Sequence, residues 1–196
     1  MLFSKPSAVS FIIAGLGNPG KKYEWTRHNA GFITIDAIAQ KYGANINRLK
    51  WNALTATVTI GGKQVLLMKP QTYMNCSGEA VAAAMRFYKL GPEQVLCIFD
   101  DVSLDVGRLR IRRNGSDGGQ KGMRSIIEQS GSNAFPRIKV GVGKKPHPDY
   151  DLADWVLSYF TADERKIISD AAGRAVDAAA LILDGRLDEA MNLYNK

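Results

Sequence analysis

Short, uninterrupted apolar runs alternating with segments of helical periodicity constrain this chain most. Residues 11–16 (FIIAGL), 65–68 (VLLM) and 95–99 (VLCIF) are too short for helices and too apolar for half-exposed strands. They read as strands buried on both faces, and residues 137–142 as a further strand. Phe32, Ile35, Ile38, Ala39 and Tyr42 share one face of a helix over about residues 29–42, stopped by Gly43. Val81, Met85 and either Tyr88 or Phe87 form a second helix face before Gly91, with Ser77 as its expected N-cap. Strands buried on both faces need helices on both sides. The pattern therefore predicts a three-layer α/β/α domain with a mixed, mostly parallel central sheet and a C-terminal helical segment.

The intervening segments complete this reading. Residues 54–69 form two apolar runs joined by Gly61-Gly62, which predicts a β-hairpin. Residues 108–112 alternate basic and apolar. The face carrying Arg108, Arg110 and Arg112 is either an edge strand protected from aggregation or a phosphate-binding face. Residues 114–122 are glycine-rich, and Gly122 opens a short helix ending at Ser130. Residues 144–151 form a Pro-rich loop. Thr161-Ala162-Asp163-Glu164 is a capping box ahead of a long alanine-rich helix, and a last short helix covers residues 187–194.

The 196 residues suffice for one well-cored domain, expected to span residues 1–196 with a flexible N-terminal extension over 1–9. No apolar run approaches membrane-spanning length, and no signal peptide is read. Cys76 and Cys97 are expected to be reduced thiols, which suits the cytoplasm, and neither has metal-ligand spacing. Net charge is +7, unevenly placed: the first 160 residues carry 21 basic against 12 acidic side chains. A basic body suggests a polyanionic partner, or plain solubility.

Residues 11–32 hold the most chemistry. Gly15-Leu16-Gly17-Asn18-Pro19-Gly20 fits the G-x-G-x-x-G dinucleotide fingerprint, but Pro19 has no N–H to offer a pyrophosphate. The fingerprint also needs a second parallel strand ending in an acidic residue about 20 residues on, where this chain has the hairpin. The simpler reading is a strand end whose glycines need positive φ angles.

His28 is one of only two histidines. An imidazole can deprotonate a water and later protonate a leaving group, worth typically ~10²–10⁴-fold in rate. It needs an orienting acceptor, and Asp100, ending a buried strand, is the best candidate. Asn18 and Asn75 can hold a carbonyl or a water with neutral donors. No G-x-S-x-G elbow and no H-E-x-x-H cluster is present. This leaves water attack promoted by His28, unless His28 is only a helix cap or surface histidine. Met74 is core or lines an apolar groove, His147 is a loop histidine, and Asp101 caps its strand. Together, site and charge point to an ester or amide hydrolase whose substrate carries phosphates.

Four ordered segments, GLGNPGKKYEWTRHNAGF, KPQTYMNCSGEAV, FDDVSLDVGRLRIRRNGSDGGQKGM and FPRIKVGVGKKP, closely resemble those of the bacterial-type peptidyl-tRNA hydrolases. The resemblance implies hydrolysis of the ester joining a peptide to the 3′-terminal ribose of tRNA, without metal or cofactor. It implies His28 as catalytic base and Asp100 as its partner. Asn18 and Asn75 would position substrate and water, Tyr23 and Met74 would line the cleft, and Arg112 and Lys139 would grip the tRNA 5′-phosphate. Where many members have Gly-His-Asn-Gly, this chain has Gly119-Gln120-Lys121-Gly122, so Lys121 is carried over as substrate-binding in place of an asparagine. The protein is expected to be a cytoplasmic monomer. Two other readings stand beside this one: an RNA-binding protein on the same fold with reduced catalysis, and a nucleotide-binding enzyme using the Gly-rich turn.

Overall fold

The computed structural model describes residues 8–195. Its centre is a seven-stranded mixed sheet in the order β2-β3-β4-β1-β5-β7-β6. The strands are β1 (Phe11–Gly15), β2 (Arg48–Lys50), β3 (Ala53–Ile60), β4 (Lys63–Pro70), β5 (Val95–Asp101), β6 (Leu109–Arg112) and β7 (Arg137–Gly141). The four inner strands β4, β1, β5 and β7 run parallel, and antiparallel strands flank them on both edges. The parallel neighbour of β1 on that side is β4, which follows the antiparallel pair β2 and β3 instead of coming directly after the first helix, unlike the second strand of a dinucleotide fold.

Alternation along β1 and β5 builds two cores. Ile13, Leu96 and Ile98 face α1 (Ala30–Lys41) and α5 (Ala162–Leu183). Ile12, Ala14, Cys97 and Phe99 face α2 (Ser77–Tyr88) and α3 (Lys121–Ser130). Burying both faces of a strand is what made these runs continuously apolar. Of the expected extension, residues 1–7 lie outside the described residues, while Val9 packs in the cluster beneath α2 and α3.

Several local expectations need correction. Gly15 and Gly17 do not take positive φ; only Gly20 in that turn does, at 103°. They are glycines because the turn touches α1: a Cβ on Gly17 would meet the Phe32 ring at 2.7 Å, and one on Gly15 would overlap the carbonyl of Gly31. Ser77 is the first residue of α2 rather than its cap, and its Oγ donates to the Met74 carbonyl. Lys89, in the left-handed region, ends α2 before Gly91 is reached. Gln120, not Gly122, starts α3, accepting the Met123 N–H on its side chain. The Pro-rich loop leads into a six-residue helix, α4 (Leu152–Leu157), that the periodicity did not reveal.

Other features follow the sequence. Gly61 and Gly62, at φ 54° and 77°, form the hairpin turn between β3 and β4. The Thr161–Glu164 capping box opens α5, and α6 (Leu187–Tyr194) follows it. The exposed edge of β6 is closed in an unexpected way. The side-chain amide of Asn195 accepts from the Ile111 N–H at 2.6 Å and donates to its carbonyl at 3.2 Å, pairing with the strand as another strand would.

Two glycines test this packing. A Cβ on Gly31 would overlap the backbone oxygens of Ile98 and Leu16, whereas one on exposed Gly173 in α5 would meet nothing within 4 Å. Gly31→Ala should destabilise by at least ~1–3 kcal/mol through overpacking. Gly173→Ala should stabilise by roughly 0.5–1 kcal/mol through helix propensity. Denaturant melts of the two variants check both signs.

Candidate active site

The carboxyl ends of the parallel strands converge on a cavity of about 610 Å³. Asn18, His28, Met74, Asn75, Asp100, Lys121 and Lys139 all line it, contributed by six different segments around the sheet, with Met74 and Asn75 adjacent in one 3-10 turn. Leu152, Val156 and Leu157 of α4 supply an apolar wall. Two expected residues lie elsewhere. Tyr23 is half-buried in a 3-10 turn outside the lining, and Arg112 is exposed on the edge strand β6. A second cavity of about 650 Å³ on the other side of the Gly-rich turn shares Asn18 but contains neither His28 nor Asp100.

His28 sits in a one-turn 3-10 helix, Arg27–Asn29, whose two flanking side chains are buried anchors. Arg27 donates to both carboxylate oxygens of Glu164 at 3.0 Å, to the Val142 carbonyl at 2.8 Å and to Ser158 Oγ at 3.1 Å. Its guanidinium also lies 3.8 Å from the centre of the Trp155 ring. Asn29 clasps the Gly-rich turn: its Oδ1 accepts the Asn18 N–H, and its Nδ2 donates to the Asn18 carbonyl, both at 2.9 Å. Asn29 thus sets the aim of Asn18. Asn18 Oδ1 accepts the Met74 N–H at 2.8 Å, which leaves its Nδ2 to donate into the cavity.

His28 Nδ1 meets Asp100 Oδ2 at 2.9 Å. The bond fixes the ring so that Nε2 is left for a reacting group. Burial alone pushes the imidazole pKa down; the Asp100 charge and hydrogen bond outweigh it, the Lys121 ammonium opposes them, and the net value lies above 6.5. The other oxygen of Asp100 accepts from Gln120 Nε2 at 3.0 Å. At the cavity edge, Lys139 Nζ pairs with Asp101 Oδ2 at 2.9 Å. Asp101 therefore does more than cap its strand. Burial raises its pKa, but bonds from Ser103 and Lys139 win and hold it below the usual carboxylate range.

Arg137 beneath this edge is fully buried and donates to the carbonyls of Phe135, Ser116 and Asn133. It fastens the segment carrying Asp117, Gly118 and Gly119 to β7. The neighbouring Cys97 thiol is pushed up to about 12 by burial, with Arg137 opposing, so it is no nucleophile at neutral pH. Among the described residues, no group of three or more His, Cys, Asp or Glu side chains is arranged to hold a metal ion.

Motif reading missed Arg27, Asn29, Gln120 and Arg137, although each lies inside one of the four segments. Their immediate neighbours gave little signal: Arg27 and Asn29 flank His28, and Gln120 lies between Gly119 and Lys121, while Arg137 alone is a charge opening a mostly apolar strand run. Tyr73 was also missed: it is exposed at the cavity mouth at φ 58°, a conformation rare outside glycine.

Fold and site together define an α/β protein with a histidine–carboxylate pair at the carboxyl ends of its parallel strands, flanked by amide donors. Over residues 12–196 the chain matches the family described as peptidyl-tRNA hydrolase. It is 54% identical to the peptidyl-tRNA hydrolase of Agathobacter rectalis over 94% of this chain and all of that one. It is 50% identical to that of Lachnospira eligens over 94% and 99%. The crystal structure of peptidyl-tRNA hydrolase from Acinetobacter baumannii superposes with a TM-score of 0.89 at 33% identity, covering 97% of both chains. The chain belongs to the peptidyl-tRNA hydrolase family.

The pair has a measurable signature. Because the folded pKa of His28 lies above its unfolded value, the protonated ring stabilises the fold fully below pH 6.5, and that increment is lost as pH rises through the folded value. An NMR titration of the imidazole should give a midpoint above 6.5. Asp100→Asn removes both raising causes, leaving burial and Lys121, so the midpoint should fall below 6.5. An unmoved midpoint would contradict the assigned pairing.

Proposed function

We propose that this protein hydrolyses the ester between a peptide and the 3′-terminal ribose of tRNA, releasing free tRNA and peptide. The observation that carries the reading is the His28–Asp100 pair at 2.9 Å in a cavity lined by Asn18 and Asn75, within a chain of this family. His28 Nε2 takes a proton from water as the water oxygen attacks the ester carbonyl. Asn18 Nδ2 and the Asn75 amide stabilise the developing oxyanion or hold the water. The tetrahedral intermediate then expels the ribose oxygen, which takes the proton back from the imidazolium. Asp100 keeps the ring in register and stabilises its charged form. The scheme draws only on side chains and water.

The peptide lies along Met74 and the apolar wall of α4. Lys121, at the start of α3, donates to substrate where an amide would otherwise do so. Arg112 contacts a tRNA phosphate; among the described residues no carboxylate pairs with it. Lys139 reaches phosphate by exchanging Asp101 for it. Tyr23 contributes from outside the cavity. We place the protein in the cytoplasm as a monomer. Among the described residues no helix is long and apolar enough to cross a membrane.

Two measurements test this. His28→Ala should lower cleavage of peptidyl-tRNA by ~10²–10⁴-fold with an unchanged circular dichroism spectrum. Full activity in that variant would favour a different base. Arg112→Ala should weaken tRNA binding and lower the slope of log K against log salt by about one, as loss of one phosphate contact requires. An unchanged slope would remove Arg112 from the tRNA interface.

A further inference from the structure

The carboxylate of Asp100 is held from two sides. Oδ2 faces His28 Nδ1 at 2.9 Å, and Oδ1 accepts from Gln120 Nε2 at 3.0 Å. The orientation of the Gln120 amide is forced. Its oxygen accepts the Met123 N–H at 2.7 Å, and a backbone N–H can only donate, so the NH₂ end must point at Asp100. The same Nε2 lies 3.0 Å from Met74 Sδ on the cavity wall. Both Gln120 and Asp100 are more than nine-tenths buried.

A carboxylate with one partner is free to swing, because the terminal torsion of Asp is broad. A second hydrogen bond on the opposite oxygen fixes its plane, and that plane sets the direction in which the His28 ring points. We propose that Gln120 is a positioning residue for hydrolysis: its amide locks the Asp100 carboxylate and, through it, aims His28 Nε2 into the cavity. Gln120 borders the cavity, but both ends of its amide are engaged, the oxygen by the Met123 N–H and the nitrogen by Asp100, so it acts through Asp100 rather than on the reacting atoms. The inference rests on the reading of His28 as the base.

Gln120 also caps α3, so the test must separate the two roles. Gln120→Ser keeps a good N-cap oxygen but is too short to reach Asp100. Gln120→Met keeps side-chain volume but can neither cap nor donate. What the two variants share is the loss of the amide donor that faces Asp100 and Met74 Sδ; a lost Met74 contact alone would leave the His28 ring signals in place. Both should lower kcat for peptidyl-tRNA by about 10–100-fold with KM nearly unchanged, by analogy with the outer partners that orient metal-bound histidines. In both, the NMR signals of the His28 ring should shift. Wild-type kcat in either variant, when folded at the assay temperature, would overturn the inference. A cap-only role would spare Gln120→Ser. Should neither variant fold, the wild-type protein still decides: the side-chain amide signals of Gln120 should titrate with the same midpoint as His28, and amide signals indifferent to that titration would refute the coupling. His28→Ala is run alongside. If it stays active, the hydrolytic reading itself fails; if it is inactive while the Gln120 variants run at full kcat, only the positioning role fails.

Discussion

The hydrogen bond between His28 and Asp100 joins residues 72 positions apart, and much of the molecule serves to bring its two ends together. Asp100 is placed by β5, a central strand paired on both sides. His28 has no such frame, because it lies in a single turn between a strand and a helix. Arg27 and Asn29 replace that frame on either side of it. Arg27 ties the turn to the end of β7, to α4 and to the first turn of α5 through Glu164. Leaving that guanidinium buried without its carboxylate would cost about 3–5 kcal/mol. Burial raises the Glu164 pKa, but the bonds from Arg27 and Thr161 outweigh it, so the anchor persists until pH falls well into the carboxylate range.

The parallel inner strands explain why the remaining groups arrive at one place. Their carboxyl ends deliver Asn18 after β1, Met74 and Asn75 after β4, and Asp100 and Asp101 at the end of β5, where open α/β sheets place their sites. The antiparallel edge strand β6 adds the basic contribution by register: Arg110 lies opposite Lys139, and Arg112 opposite Arg137. Of these cations, Arg137 is consumed inside the fold and Lys139 is engaged with Asp101. The basic face is therefore graded, from a structural arginine at its base to an exposed one at its rim.

Much of this was legible in the sequence because it rests on patterns with a period. Continuous apolar runs marked β1, β4 and β5, and the Thr161–Glu164 box marked the start of α5. The His28–Asp100 pair was legible because histidine is scarce here and Asp100 ends a buried strand. What escaped has a common cause. The needs of Gly15 and Gly17 come from α1 pressing on the turn, a tertiary contact that no local φ preference encodes. Gln120 and Asn29 look like surface amides until their partners, 20 and 11 residues away, are in place. Helix α4 is too short for its period to register, and Asn195 closes β6 by a side-chain pairing with no sequence signature.

The central claim is that the imidazole held by Asp100 is the base that activates water. Its most direct test sets the pH dependence of kcat/KM for peptidyl-tRNA cleavage beside the NMR titration of His28 in the same protein. Activity requires the neutral ring, so the acid limb should rise with pH through a midpoint above 6.5 that coincides with the His28 titration. An acid limb whose midpoint is separate from that of His28 would contradict the account.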